Sequence, residues 1–264
     1  MPDRPRHLHF DRVATLYSAA RPGYPPALFD QLRAWGALRA DSRVLELGPG
    51  SGQATQDLLD RGVRRIDALE VGTALARELQ KRLPDPRLHV WVGDAHDLPL
   101  PEGAYDLCVA ATSFHWLDAE RMMPRLAAAL RPGGWLAVWW TEFGDPDIHT
   151  PFRVGLDRLT RQWGMHHPDP PRSLHREDRV AELTQGGVFG NPRHALFRWS
   201  QQMTTDQVRA LFATFPNFAD RPDELAQIAR LVDDQGGTTS EHYLTVLYAV
   251  QRAGPDEAAV PPPR

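Results

Sequence analysis

The sequence predicts an α/β fold in which a mostly parallel sheet is covered by helices on both faces. Three observations carry that prediction. Short apolar runs alternate with amphipathic segments from residue 44 to residue 140, the pattern left by buried parallel strands and their crossover helices. A glycine-rich turn, Gly48-Pro49-Gly50-Ser51-Gly52, stands between the first run and the helix after it. Helix stops such as Gly62 and Pro84 then separate the later segments.

Taken in order, residues 10–24 carry Phe10, Val13, Leu16 and Tyr17 at helical spacing on one face. Arg21-Pro22-Gly23-Tyr24-Pro25-Pro26 forces a turn, because proline fixes φ and restricts the residue before it. A second helix with Leu28, Leu32 and Trp35 ends near Gly36. Residues 44–47 read as a strand, 53–61 as a helix, 66–70 as a strand and 73–83 as a helix. Strands follow at 89–92 and 105–110, a helix at 119–130 and a fifth strand at 135–140. Beyond Thr141 the alternation breaks: loops at 144–151 and 164–173, helices near 152–163 and 177–185, and strands at 195–199 and 243–250 with helices at 204–214 and 222–234 between them. The tail from Gly254 is proline-rich and is expected to be disordered.

The chain has 264 residues, 42% apolar and 24% charged, an ordinary globular composition. A formal net charge of -4 argues against a nucleic-acid binder acting by broad phosphate neutralisation. The single cysteine, Cys108, sits in an apolar run and cannot form an internal disulfide. The N-terminus has no apolar h-region and no run reaches membrane-span length. A soluble, cytoplasmic protein, monomeric or homodimeric, is expected.

The glycine turn lies between an apolar strand and a helix, where unpaired N–H groups of a helix N-terminus meet a polar ligand. Glycine lets the backbone turn sharply and approach that ligand with no Cβ in the way. Glu70 closes the second strand, where a carboxylate accepts hydrogen bonds from ribose hydroxyls, and Asp94 follows the third, at the base end of a nucleoside. A dinucleotide would prefer G-x-G-x-x-G, but the third glycine position is Gln53. Lys81 is the only lysine. It has no tyrosine four residues before it, as short-chain dehydrogenases require, and no Gly-Lys-Ser/Thr phosphate loop exists. These exclusions favour S-adenosylmethionine. A nicotinamide-dependent oxidoreductase and a non-catalytic module that binds the cofactor stay open as alternatives.

Val44-Leu45-Glu46-Leu47-Gly48-x-Gly50-x-Gly52 resembles the first motif of class I S-adenosylmethionine-dependent methyltransferases. Three further segments resemble the trans-aconitate methyltransferase-like small-molecule group: Phe10-x-x-Val13-Ala14-x-x-Tyr17-x-x-x-Arg21-Pro22-Gly23-Tyr24-Pro25, Ser113-Phe114-His115-Trp116 and Leu130-Arg131-Pro132-Gly133-Gly134. The likeness runs from about residue 10 to 141 and is weaker beyond. It implies a Rossmann-like, mostly parallel seven-stranded sheet with an antiparallel last strand, an N-terminal helical lid and a partial cap. The expected layout is a lid over 1–36, the cofactor-binding core over 37–143, a cap with connecting elements over 144–240, the last strand over 241–252 and a tail over 253–264.

By the same resemblance Gly48, Gly50 and Gly52 line the methionine and ribose portion, Glu70 holds the ribose diol, and Asp94 with Ala95 contacts adenine. Tyr17 and Arg21 approach the methionine end, Arg21 by pairing with its carboxylate. Glu46, Gln53 and Val71 complete the expected cofactor contacts. Two departures stand out. The family's Glu-Pro-Ser after the second strand is Glu70-Val71-Gly72 here, and the helix before Arg131 has Pro124-Arg125-Leu126 in place of an acidic residue.

On the acceptor side, His115 follows the fourth strand, where donor and acceptor meet, and is the candidate proton acceptor or hydrogen-bonding residue. Phe114 and Trp116 are candidate walls of the substrate pocket. His166-His167 with Asp169 lack metal-ligand spacing, and no metal site is expected. Ala111-Thr112-Ser113-Phe114-His115-Trp116 is unlike the Asp/Asn-Pro-Pro-Tyr/Phe motif of DNA amino-methylation. Arg153, Arg158, Arg161, Arg172 and Arg176 are candidates for holding an acidic small molecule, with a solvated face as their simpler role. The expected reaction is methyl transfer to a small molecule, with carboxylate or hydroxyl oxygen favoured and natural-product tailoring as one setting.

Overall fold

The computed structural model describes residues 7–165 and 171–254. Two short helices, α1 (His7–Arg12) and α2 (Ala14–Ala20), precede α3 (Pro26–Ala34). The expected single helix over 10–24 is therefore broken at Val13, whose φ of -107° and ψ of 22° leave the helical region. The core then alternates β1 (Arg43–Leu47), α4 (Gln53–Asp60), β2 (Arg65–Glu70), α5 (Thr73–Arg82), β3 (Leu88–Val92), β4 (Tyr105–Ala111), α6 (Ala119–Ala129) and β5 (Leu130–Phe143). After it come α7 (Pro151–Gln162), α8 (Arg176–Thr184), β6 (Phe189–Thr204), α9 (Thr205–Ala213), α10 (Pro222–Asp233) and β7 (Thr238–Arg252).

The seven strands form one sheet in the order β3-β2-β1-β4-β5-β7-β6. The first five run parallel, and β7 pairs antiparallel with both β5 and β6. Chain order reverses direction across the sheet between β1 and β4, which opens a crevice above their C-terminal ends, where ligands bind in open α/β sheets.

Period-2 alternation splits the core into two layers. Leu107, Val109, Ala137 and Trp139 pack with α3 and α4 through Phe29, Leu32, Leu58 and their neighbours. Cys108, Ala110, Val138 and Trp140 turn the other way, onto Met122, Met123 and Leu126 of α6 and Leu183 of α8. Adjacent Trp139 and Trp140 thus serve opposite faces. A third cluster joins α7, α9 and α10 through Phe152, Leu156, Val208, Leu211, Phe212, Ile228 and Val232.

The segment 144–240 accordingly divides three ways. Helices α7, α9 and α10 build their own small core, α8 joins the sheet's helical layer, and β6 is an edge strand of 16 residues rather than the short run at 195–199. Much of β6 is polar and exposed, so its pairing with β7 over nearly its full length, and not an apolar pattern, makes it a strand. Among the described residues no helix is long and apolar enough to cross a membrane. His166, His167, Asp169 and most of the proline-rich tail lie outside the described residues.

Candidate functional site

The glycine turn closes over the end of β1 with Gly48, Gly50 and Gly52 at φ of 63°, 59° and 91°, a region that costs an L side chain about 1–2 kcal/mol. The surroundings are tight as well. A Cβ on Gly48 would stand 2.7 Å from Ser113 Cβ, and one on Gly52 would stand 2.4 Å from Leu79 Cδ1. Gly50 faces Tyr17, whose Cε1 would lie 3.6 Å from an added Cβ.

Glu70 is almost wholly buried at the end of β2, and its two carboxylate oxygens accept hydrogen bonds from the backbone N–H of Gly50 (2.9 Å) and Gly72 (2.8 Å). Burial raises its pKa, and the N–H groups of Gly72, Gly50 and Val71 oppose that rise. A carboxylate has about four acceptor positions, so lone pairs remain for a ligand. Asp94, after β3, accepts from the backbone N–H of His96 (2.9 Å), and its carboxylate meets His96 Nδ1. His96 Nε2 accepts from the Asp118 N–H at 3.0 Å, so both ring nitrogens are engaged.

Helix α1 is tied to α5 by Asp11. Its Oδ1 accepts from the N–H of Ala74 (2.6 Å) and Leu75 (2.9 Å), capping α5 from another helix. A Cβ on Gly72 would fall 2.6 Å from that same oxygen. Glycine at the position where the family carries serine therefore makes room for the Asp11 cap.

Arg21, the C-cap of α2, lines the cavity. Its Nε donates to Thr214 Oγ1 at 2.8 Å, and its guanidinium carbon lies 4.1 Å from the Phe215 ring centroid, 5.1 Å from Tyr17 and 5.2 Å from Phe143. Among the described residues no carboxylate pairs with it, and burial lowers its pKa. Beneath it the Tyr24 hydroxyl meets Thr112 Oγ1 at 3.2 Å. Thr112 has φ of 55°, an outlier for a β-branched residue, and it launches the turn that carries His115.

His115 sits in a 3-10 turn, Phe114–Trp116, and its Nδ1 accepts the indole N–H of Trp140 at 3.0 Å. Packing around the ring and the charge of Arg179 hold its pKa below the ordinary imidazole value. The ring is open on its cavity side.

One cavity gathers most of the predicted residues: Tyr17, Arg21, Gly48, Gly50, Gln53, Glu70, Val71, Asp94, Ala95, His115 and Trp116 all line it. Three predicted residues stand outside its wall. Gly52 packs against α5, Phe114 is 1% exposed in the sheet core, and Glu46 is fully buried, accepting from Thr55 Oγ1 at 2.8 Å. Burial pushes the Glu46 pKa up to about 7. Gln53 lines the cavity with Oε1 bonded to Ser51 and Nε2 unpartnered.

Sequence reasoning passed over Phe10, Thr112, His96, Thr141 and Phe143, which also line the cavity. The Phe10 spacing was visible as helical periodicity, but Thr141 and Phe143 carry no local motif. None of Arg153, Arg158, Arg161, Arg172 and Arg176 reaches it.

Comparison with known proteins agrees with this geometry. The family described as "Methyltransferase domain" matches residues 45–138. An uncharacterized methyltransferase-like protein of Schizosaccharomyces pombe is 28% identical over 208 residues, covering 79% of this chain and 77% of that protein. Trans-aconitate 2-methyltransferase of Paracidovorax citrulli is 37% identical over 103 residues, covering 38% of this chain and 39% of that protein. The solved structure described as a type II methyltransferase from Anaeromyxobacter dehalogenans superposes with a TM-score of 0.62 at 26% identity, over 89% of this chain and 97% of that one. A crevice built on the glycine turn, Glu70 and Asp94, together with these likenesses, shows an S-adenosylmethionine-dependent methyltransferase domain, matched over residues 45–138, in a chain similar to class I methyltransferases.

Proposed function

We propose that the enzyme methylates an oxygen of a small molecule held between the cofactor cleft and the cap. The supporting observation is that one cavity joins the glycine turn to His115, Trp116, Thr141 and Phe143 under a roof of Phe10, Tyr17 and Arg21. Such a roofed, partly aromatic space suits a compact acceptor better than a polymer.

The cavity fits S-adenosylmethionine by the chemistry of its wall. Glu70 and Asp94 offer acceptors for ribose hydroxyls and adenine with Ala95 beside them. Arg21 and the free Nε2 of Gln53 offer donors for a carboxylate. Gly48 and Gly50 let the backbone come close to the ligand, Tyr17 and Val71 flank it, and Gly52 and Glu46 support the turn from behind. When bound, the cofactor supplies an electrophilic methyl group. The protein contributes positioning, by which an in-line displacement gains most of its rate.

We read residues 1–36 as the lid, 37–143 as the cofactor-binding core and α7, α9 and α10 as the cap, acting in the cytoplasm. Glu70→Ala tests the cofactor placement. S-adenosylhomocysteine should raise the melting temperature of the wild type, and the variant should keep its fold and lose most of that shift. An undiminished shift would show that the ribose lies elsewhere.

A further inference from the structure

Asp94 does not stand alone on the cavity wall. Its Oδ1 takes two hydrogen bonds from one residue, His96: from the backbone N–H at 2.9 Å and from ring Nδ1 at 2.5 Å. The first of these folds the loop back on itself, and the N–H groups of Asp97 and Leu98 close it further onto the Asp94 carbonyl at 3.0 and 3.1 Å. Helix α6 clips the same loop from outside. Arg125 Nη2 donates to the carbonyls of Leu98 (2.5 Å) and Ala95 (3.4 Å), and the Asp118 N–H reaches His96 Nε2 at 3.0 Å.

The partners of the ring fix its tautomer. A backbone N–H is a donor only, so Nε2 must offer Asp118 a lone pair. A neutral imidazole bare at Nε2 carries its proton on Nδ1, where it faces a carboxylate that can only accept. The opposite tautomer would set N–H against N–H at Asp118 and lone pair against carboxylate at Asp94, losing both bonds. A doubly protonated ring would keep Asp94 and lose Asp118.

The consequence falls on Asp94. Two donors hold Oδ1, which fixes the plane of the carboxylate, and among the described residues no hydrogen-bond donor reaches Oδ2. The His96 backbone N–H, and then its ring, hold the Asp94 pKa below the ordinary carboxylate value, so the group stays an acceptor. Its side chain is 54% exposed and the residue lines the cavity. An acceptor fixed in this way selects a base with an amino group at the facing edge. Adenine presents its N6 amino group as a donor, whereas hypoxanthine has a carbonyl oxygen at that place, which a carboxylate repels.

We infer that His96 is a positioning residue for the base of the cofactor: held by Asp118 in the Nδ1–H form, it fixes Asp94 Oδ1, leaves Oδ2 to accept from the adenine amino group, and so selects adenine over hypoxanthine. This rests on the reading of Asp94 as the adenine contact.

Nitrogen-detected NMR of the histidine side chains at about pH 8 should show His96 protonated at Nδ1 and bare at Nε2. Calorimetry compares S-adenosylhomocysteine with S-inosylhomocysteine, which carries hypoxanthine. The wild type should prefer the former by about tenfold or more, the worth of a hydrogen bond to a charged group, and Asp94→Ala should abolish that preference. His96→Leu should cut the preference by about threefold to tenfold. His96→Asn, whose amide nitrogen falls where Nδ1 lies, should restore most of it. Because each value is a ratio of two ligands on one variant, a general loosening of the fold cancels. Leucine fills the space of the ring better than asparagine does, so a packing role predicts the reverse order.

An unchanged ratio in His96→Leu, equal ratios in the leucine and asparagine variants, or a proton on Nε2 in the wild type would overturn the inference. No preference in the wild type, or an unchanged one in Asp94→Ala, would instead remove the underlying reading of Asp94.

Discussion

Glu46 is the first polar residue of the glycine-turn motif, yet its side chain lies under the turn, hydrogen-bonded to Thr55 with its other oxygen unpartnered. Burial in low dielectric disfavours the carboxylate, and its pKa is pushed up to about 7. The folded chain therefore keeps this proton over a range in which the unfolded chain has lost it. The group's contribution to stability is full below the ordinary glutamate range and is lost as pH rises towards neutrality. Glu46→Gln should match the wild type at about pH 4 and exceed it by roughly 1–3 kcal/mol at about pH 8. Denaturant titrations at the two pH values measure this, and a variant less stable at the higher pH would contradict it. The same scale explains Gly52, which the family pattern associates with the ligand. Its missing Cβ serves the contact with Leu79 and Leu83.

Among the elements, α5 depends on a partner for its first turn. Its own N-cap, Gly72, has no side chain to offer, and Asp11 of α1 accepts from Ala74 and Leu75 in its place. The bond does two jobs, capping the start of α5 and holding α1 beside Glu70. Asp11→Ala should cost about 1 kcal/mol of stability, the usual worth of a cap, and should also weaken S-adenosylhomocysteine binding by calorimetry. Stability lost with affinity unchanged would mean that the lid position does not matter to the ligand. A serine at position 72, as in the family's Glu-Pro-Ser, would cap α5 itself and displace Asp11.

Across the molecule, ion pairs as well as apolar packing hold α7 and the loop after β5 to the sheet. Arg153 of α7 pairs with Glu241 of β7, whose side chain is 2% exposed. Arg198 of β6 clamps both Asp145 and Asp147 of the loop after β5. Arg153→Met should destabilise by about 3–5 kcal/mol, because it strands a buried carboxylate, and adding Glu241→Leu should recover most of the loss. The midpoint of urea unfolding reports both. Equal stability of Arg153→Met and the double variant would show that Glu241 is relieved by some other partner.

The sequence by itself determined the sheet, its helical layers and the strand-end wall of the cavity. Periodicity, turn residues and strand ends are local properties, and in a parallel sheet the residues that close successive strands necessarily meet at one edge. Gly48, Gly50, Glu70 and Asp94 were legible for that reason. Tertiary structure alone decided the rest of the cavity wall. Arg21 meets Thr214 across 193 positions, Trp140 reaches His115 because β5 turns it to the face opposite Trp139, and Arg153, Arg158, Arg161, Arg172 and Arg176 do not line the cavity. These partnerships depend on register and on how the cap packs against the sheet, and neither leaves a periodic trace in the chain. The long polar strand β6 escaped for the same reason, since its extent is set by backbone pairing with β7 and not by the burial of its own side chains.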